Sequence, residues 1–378
     1  MNLTYNKMKI VFLFGGSLQM KFGKIIAGAC MALGVFIAFG TTAQAKDKVK
    51  VGVVYVTPIG EHGYSYQHHQ GILAAKEKFG DKMELKIVEN VAEGPDAERV
   101  IRQLAQQGSD IIFTTSFGYM NPTIKVAKRF PKVAFAHATG FKNAKNVSTY
   151  NIRFHEGRYV AGQMAGKMTK SNTIGYVASF PIPEVIAGIN AAYLGAKSVN
   201  PDVKFKIVWV SSWFDPGKEA DATKALRDQG ADVLFQHTDS PAPMKIAEQE
   251  GVKAVGQASD MIKVGPNAQM TAIVNTWTPY YIDQIQAVLD GKWKMSKVWG
   301  GFGADMLTMP INDNIPADVK AAALKTIESI RSGKFNPFTG PVNKQDGSVY
   351  LKAGEVAEDG TVAGMNFYVE GIDGSLPN

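Results

Sequence analysis

The alternation of strand-like and helix-like segments predicts an α/β protein in which parallel sheets carry helices on both faces. Two observations support this prediction. Short β-branched apolar runs alternate with longer helical patterns, and the series is run through twice, so the chain divides into two similar halves. With 378 residues there is room for two domains with separate cores. The sequence therefore predicts two Rossmann-like lobes.

The first half opens with a strand at residues 48–56, which runs into a loop rich in Pro and Gly, and Ser65 is the expected N-cap of the helix that follows. In an open α/β sheet, ligands dock at such carboxyl ends of strands. The later elements of this half are strands at 84–89, 110–115, 133–137 and 147–151, the last an edge strand, and helices at 97–107 and near 122–130.

The second half begins with a helix at 156–168, whose small residues Ala161, Gly162, Ala165 and Gly166 favour close packing against a neighbour. Strands follow at 173–179, 205–210, 232–236 and 253–256, with helices at 184–199, from Pro216, and at 244–250. The chain is expected to cross between halves near 151–154 and to return near 275–279. The tail has a helix at 316–332 and turn dipeptides at Asp346-Gly347 and Asp359-Gly360.

The first 45 residues have the pattern of a secretory signal peptide. Lys21 and Lys24 precede an apolar run at 25–39, and Ala43-Gln44-Ala45 supplies a small-x-small cleavage site, with Met20 as the expected true start. The apolar run is shorter than a membrane span requires. Cys30, the only cysteine, lacks the bulky aliphatic residue three positions earlier that lipidation requires, so we expect a periplasmic protein without a lipid anchor.

Composition and motifs argue against several functions. The net charge of +7 falls to +3 without the four leader lysines and is scattered, which does not favour nucleic-acid binding. The sequence contains no G-x-S-x-G elbow, P-loop or H-E-x-x-H motif. His62, His68 and His69 lack an evident third ligand, so no metal or other cofactor is expected. Two cleft carboxylates, Asp239 and Asp260, could serve an enzyme, but no activated nucleophile accompanies them, and no enzyme is predicted.

Aromatic side chains follow the ends of several strands. We expect Tyr66, Phe117 and Trp213 to line a cleft, because a planar heteroaromatic ligand needs flat apolar faces on either side. Polar residues on the same loops, Asn121, Asp239 and Asp260, are candidates to read its edge. Capping remains an equal alternative for Asn121, and for Asp239 ahead of the helix after Pro241.

Several segments resemble the basic membrane protein family, the substrate-binding components of ABC importers that include purine nucleoside receptors. The resemblance runs from Lys48 to the end of the chain and rests on these motifs: Phe154-His155-Glu156-Gly157-Arg158-Tyr159-Val160-Ala161-Gly162, Ile174-Gly175-Tyr176-Val177, Gly195-Ala196-Lys197-Ser198-Val199-Asn200-Pro201-Asp202-Val203, Asp215-Pro216-Gly217-Lys218 and Phe367-Tyr368-Val369-Glu370-Gly371. It implies a type I periplasmic binding protein fold, with two hinged lobes and a ligand between them.

The departures from that family concern the acids that hold sugar hydroxyls in nucleoside-binding relatives. Thr57 stands at the first such aspartate, and Ala258 replaces the leading acid of a D-x-D element whose second acid is Asp260. The stacking position is kept as Tyr66. We therefore predict a receptor that binds a free purine base, with adenine as the favoured ligand.

The expected partners are a purine and the ABC permease, and the protein is expected to act as a monomer. Lobe 1 is predicted as residues 46–153 plus about 276–305, and lobe 2 as 154–275 plus about 306–378 with the C-terminal extension. A purine nucleoside receptor of the same family is the alternative. A nucleoside-processing enzyme and a sensor lobe are weaker alternatives.

Overall fold

A computed structural model describes residues 45–377 of the protein. The leader prediction, with Met20 and Cys30, falls on residues 1–44 and lies outside the described residues. The strands are β1 (Val49–Tyr55), β2 (Met83–Val88), β3 (Ile111–Thr115), β4 (Ala134–Ala138), β5 (Val147–Ile152), β6 (Thr173–Ala178), β7 (Lys204–Trp209), β8 (Val233–His237), β9 (Lys253–Ala258), β10 (Gln269–Asn275), β11 (Lys297–Gly300), β12 (Leu307–Thr308), β13 (Val342–Asn343) and β14 (Val349–Leu351).

The helices alternate with these strands along most of the chain. They are α1 (Gly63–Phe79), α2 (Pro95–Gln106), α3 (Met120–Ala127), α4 (Phe154–Met168), α5 (Pro183–Lys197), α6 (Pro216–Asp228), α7 (Ala242–Glu250), α8 (Thr278–Leu289), α9 (Ala317–Arg331) and α10 (Asp359–Ala363). Ser65, the expected N-cap of α1, lies inside its first turn instead, because the helix already begins at Gly63.

Two six-stranded sheets form the centres of two lobes, as predicted. The first has the order β11-β5-β4-β3-β1-β2 and is parallel throughout. The second has the order β12-β10-β9-β8-β6-β7, and only β12 is antiparallel to its neighbour. Strand β3 is buried at every position, as expected of a parallel strand covered on both faces.

Strand β5 is not the edge strand that its sequence suggested, because β11 returns from far along the chain and pairs outside it. The chain passes between the sheets three times, from β5 into α4, from β10 into α8 and from β11 towards β12. Parallel crossings of this kind leave the carboxyl ends of both sheets facing one cleft.

Helices α4 and α5 pack closely in the second lobe, as the small residues of α4 predicted. A side chain at Gly162 would collide with the backbone carbonyl of Ala192. In the tail, β13 and β14 form a hairpin whose turn contains Gly347, as predicted. Asp359-Gly360, in contrast, begins the short helix α10 rather than a turn between strands. Within residues 45–377, no helix has the length and apolar character needed to cross a membrane.

Candidate functional site

A small cavity of about 30 Å³ lies between the lobes, at the carboxyl ends of both sheets. The first lobe lines it with Val56, Tyr64, Ser116, Phe117 and Thr139, and the second with Ile182, Glu184, Trp213, His237, Asp239 and Gln257. Its volume is about two water-sized spheres and far below the 300–1,000 Å³ of a typical ligand pocket. Entry of a ligand therefore requires the lobes to separate.

Aromatic side chains of both lobes line this cavity, together with two aliphatic ones. Tyr64 in the first turn of α1 and Phe117 after β3 belong to the first lobe, and Trp213 after β7 to the second. The ring of Trp213 packs 5.1 Å from that of Phe180, and its Nε1 donates to Glu93 Oε1 across the cleft at 3.3 Å. These rings offer flat faces suited to a planar ligand.

Asp239 is the most strongly perturbed carboxyl group of the cavity. It is buried, and burial raises the pKa of Asp239 from 3.8 to about 7. The backbone N–H of Tyr64 donates to Asp239 Oδ1 at 2.9 Å, and Thr57 Oγ1 donates to Oδ2 at 3.3 Å, which both favour the ionised form. The capping alternative at the following helix is not realised, because α7 has no side-chain cap.

Asp239 instead caps a helix of the opposite lobe. Its neighbour Ser259 accepts a hydrogen bond from Gly63 N at 2.8 Å, beside the bond from Tyr64 N to Asp239. In the described part of the chain α1 has no side-chain cap at its own N-cap residue, His62. A Cβ at Gly63, whose φ is +90°, would lie 2.6 Å from the carbonyl oxygen of Asp239. Closure thus completes α1, and Gly63 permits the close approach.

Glu184 and His237 form the second polar group of the cavity. Glu184, in the first turn of α5, accepts from Asn151 Nδ2 of the first lobe at 3.1 Å, and its Oε1 lies 3.5 Å from His237 Nε2. Burial lowers the pKa of His237, so the imidazole is neutral near pH 7. Among residues 45–377, no atom forms a hydrogen bond with the buried His237 Nδ1 or Tyr64 Oη. These atoms remain available to a polar ligand.

A second cavity, of about 540 Å³, adjoins the first and shares Phe117, Thr139 and Glu184 with it. It lies between the edge of the first sheet, at β5 and β11, and the start of α5, and α10 contributes Asp359 and Val362 to its wall. The two cavities therefore meet at these three shared residues.

Three of the six residues expected at the site line the small cavity, namely Phe117, Trp213 and Asp239. Tyr66 lies half-buried on α1 with its ring 6.3 Å from that of His62. Asn121 is exposed inside α3 and accepts from Lys142 Nζ at 2.8 Å, so it is not an N-cap either. Asp260 is exposed and accepts from Gln269 Nε2 at 2.7 Å. The structure does not bring these last three to the cavity lining.

The lining residues that the sequence did not predict include four with aromatic, ionisable or amide side chains, namely Tyr64, Glu184, His237 and Gln257. The expected N-cap, Ser65, lies three residues after the actual N-cap, His62, and this displacement of the helix start favoured Tyr66 over Tyr64. Glu184 follows a proline after β6 and carries a charge at a helix start, which was a usable signal. His237 and Gln257 lie within strands and have no sequence signal of their own.

His68, on α1, has structural partners. His68 stacks on Trp277 with ring centroids 4.2 Å apart, and its Nδ1 lies 2.6 Å from Tyr281 Oη. Within the stretch from 45 to 377, no group of three or more His, Cys, Asp or Glu side chains is arranged to hold a metal ion.

Comparison with known proteins gives consistent matches. Residues 48–337 match the family model Bmp, described as ABC transporter substrate-binding protein PnrA-like. A purine-binding protein of Brucella abortus (strain 2308) is 56% identical over 338 residues, 89% of this chain and 97% of the relative. A putative ABC transporter glucose-binding protein of Haloferax volcanii is 37% identical, over 88% of this chain and 82% of the relative.

Solved structures share the fold at low sequence identity. An ABC transporter solute-binding protein from Aeropyrum pernix K1 aligns with a TM-score of 0.66 at 18% identity, covering 76% of this chain and 92% of that one. A solute-binding protein from Conexibacter woesei aligns with a TM-score of 0.60 at 22% identity, covering 76% and 98%. The two-lobed architecture is therefore that of periplasmic solute-binding proteins of the type I fold.

Proposed function

The chain belongs to the Bmp family of PnrA-like ABC transporter substrate-binding proteins, and on this basis we propose that it captures a free purine base, adenine before others. We further propose that the protein is exported to the periplasm, acts as a monomer and delivers the base to a membrane permease. For the lobes we keep the division at residues 46–153 plus about 276–305 and 154–275 plus about 306–378.

The observation that carries this proposal is the chemistry of the cavity between the lobes. Tyr64, Phe117 and Trp213 provide aromatic faces, and Asp239 and Glu184 provide hydrogen-bond acceptors at the edge. A purine has two flat faces and a nitrogen-rich edge, so it uses both parts of this lining. The 56% identity to a purine-binding protein supports the same class of ligand.

The preference for a base over a nucleoside rests on two positions. Thr57, at the position of a sugar-binding aspartate in the nucleoside-binding relatives, lies 2.6 Å from Ser65 Oγ and 3.3 Å from Asp239 Oδ2. Ala258, at the position of a second such acid, has a methyl group that cannot accept a hydrogen bond. A ribose would thus lose two charged partners.

A purine nucleoside is the second candidate, and the adjoining cavity of about 540 Å³ favours it. A base held between Phe117 and the second lobe would place a substituent near Thr139 and Glu184, which line both cavities. We propose no catalytic role, because the family and the 56% identical relative are described as binding proteins.

Binding is proposed to proceed by hinge closure. Separation of the lobes opens the cavity and releases the contacts of Gly63 and Tyr64 with Ser259 and Asp239. The ligand enters, stacks against an aromatic ring and is enclosed as these contacts form again. Stacking contributes about 1–3 kcal/mol per base, and each satisfied polar contact about 1 kcal/mol.

The experiment that tests the proposal has two parts. Mass spectrometry of the molecules released on denaturing the purified protein should identify a purine. The ligand-free protein should then be stabilised in thermal melts by adenine, and less by hypoxanthine, adenosine or glucose. A ligand at 100 times its Kd adds about 2.7 kcal/mol to the free energy of unfolding, so the ligand with the lowest Kd gives the largest shift at equal concentration. Stabilisation by glucose and not by any purine would contradict the proposal.

A further inference from the structure

Arg158 on α4 is a buried cation with few partners. It is 0% exposed, and its Nη2 donates to Gln257 Oε1. No residue between 45 and 377 forms a hydrogen bond with its Nε or Nη1, and none of the carboxylates in that range forms an ion pair with it. The ring of Tyr176 lies 5.4 Å from its central carbon. A buried guanidinium is costly without partners, so its one strong contact calls for an explanation.

The contact determines how the Gln257 amide is oriented. A guanidinium can only donate hydrogen bonds, so the amide oxygen of Gln257 must face it, whatever ambiguity exists between amide oxygen and nitrogen. Gln257 lies in β9 and lines the small cavity. Because Arg158 binds the amide oxygen of Gln257, the NH₂ group, with its two N–H donors, is the part of the amide that faces the cavity.

We propose that Arg158 is a positioning residue that fixes Gln257 as a hydrogen-bond donor to the ligand. Gln257 thereby determines specificity, because its NH₂ group donates a hydrogen bond to an acceptor nitrogen of the ligand ring. This inference rests on the proposed function and deepens it. Asp239 and Glu184 also line the cavity, and their carboxyl oxygens accept hydrogen bonds. The lining therefore combines a donor with acceptors and fits a planar heterocycle that carries an acceptor nitrogen together with an amino group.

The expected discrimination follows from the cost of an unpaired donor. A ligand without the matching ring nitrogen leaves the Gln257 amide buried without a partner, whereas a ligand that has it restores the bond. We expect a loss of about tenfold or more in affinity, which is about 1.4 kcal/mol.

The test measures the affinities of adenine and of 1-deaza-, 3-deaza- and 7-deazaadenine by calorimetry. Each analogue lacks one ring acceptor. One analogue should bind the unmodified protein at least about tenfold more weakly than adenine, and in Gln257→Met that penalty should fall to within about twofold. Arg158→Met should also reduce the penalty, because the amide is then free to rotate, whereas Arg158→Lys retains a donor and should keep most of it.

Gln163→Met is the matched control, since Gln163 also lies in the second lobe, on α4, and bonds to Ser198 outside the cavity. It should leave every penalty unchanged. If Gln257→Met does not fold, Gln257→Glu replaces it, because a carboxylate pairs with Arg158 and offers no donor. Adenine binding with the same penalty in the Gln257 variant overturns this inference alone. Absence of purine binding by the unmodified protein overturns the proposed function and this inference together.

Discussion

The substitution Asp239→Asn should raise the free energy of unfolding at pH 8 and change that free energy little at pH 4. Burial raises the pKa of Asp239 to about 7, so below that pH the folded protein holds the group protonated. An unfolded chain ionises an aspartate near pH 3.9. Between these values unfolding releases a proton, so the stability of the unmodified protein falls as the pH rises from about 4 to 7.

The size of this effect follows from the shift in pKa. A rise in the pKa of Asp239 from 3.8 to about 7 lowers the free energy of unfolding by about 4 kcal/mol at pH 8, since one pKa unit is 1.36 kcal/mol. That figure is an upper bound, because separation of the lobes hydrates the carboxylate without unfolding either lobe. Asparagine keeps an oxygen that can accept from Tyr64 N and loses only the charge.

Urea unfolding of both proteins at half-unit intervals from pH 4 to 8 measures the difference. The curves should lie close together at pH 4 and diverge up to pH 7, with the variant the more stable. Asp221→Asn, an exposed aspartate of α6, is the control and should follow the unmodified protein. Parallel curves for Asp239→Asn would refute the assignment of a buried carboxyl with a raised pKa.

Three further substitutions probe the closed cavity. Trp213→Ala should weaken adenine binding by about 1–3 kcal/mol with the fold intact, whereas its exposed neighbour Phe214→Ala should not, and equal calorimetric affinities would contradict the stacking role. Ser259→Ala removes the acceptor of Gly63 N, so amide hydrogen exchange at Gly63 should accelerate, and an unchanged rate would argue against the cap between lobes. Gly63→Ala places a Cβ 2.6 Å from the Asp239 carbonyl, so small-angle scattering with adenine should show a larger radius than for the unmodified protein, and identical curves would count against closure at this contact.

The fold was accessible from sequence because its signals are local. Runs of β-branched apolar residues indicate buried parallel strands, and the glycines of α4 indicate a surface that packs closely against another helix. The position of β5 was mispredicted because its outer neighbour, β11, lies about 150 residues later in the chain. No local pattern encodes such a pairing, since it depends on where the chain returns between the lobes.

The site was only partly accessible for the same reason. Trp213 and Phe117 were identified from their places after strands, which is a property of the sequence. The orientation of Gln257 depends on Arg158, about 100 residues earlier. Tyr64 and Tyr66 both lie in the first turn of α1 and point in different directions. Which of them faces the cleft depends on where the helix starts, so the wrong helix start led to the wrong tyrosine.

The most direct measurement of the central proposal is the ratio of calorimetric affinities for adenine and adenosine on the ligand-free protein. Tighter binding of adenine is the predicted result, since Thr57 and Ala258 offer no carboxylate to ribose hydroxyls. Tighter binding of adenosine would contradict the account and would assign the cavity beside Thr139 and Glu184 to the sugar.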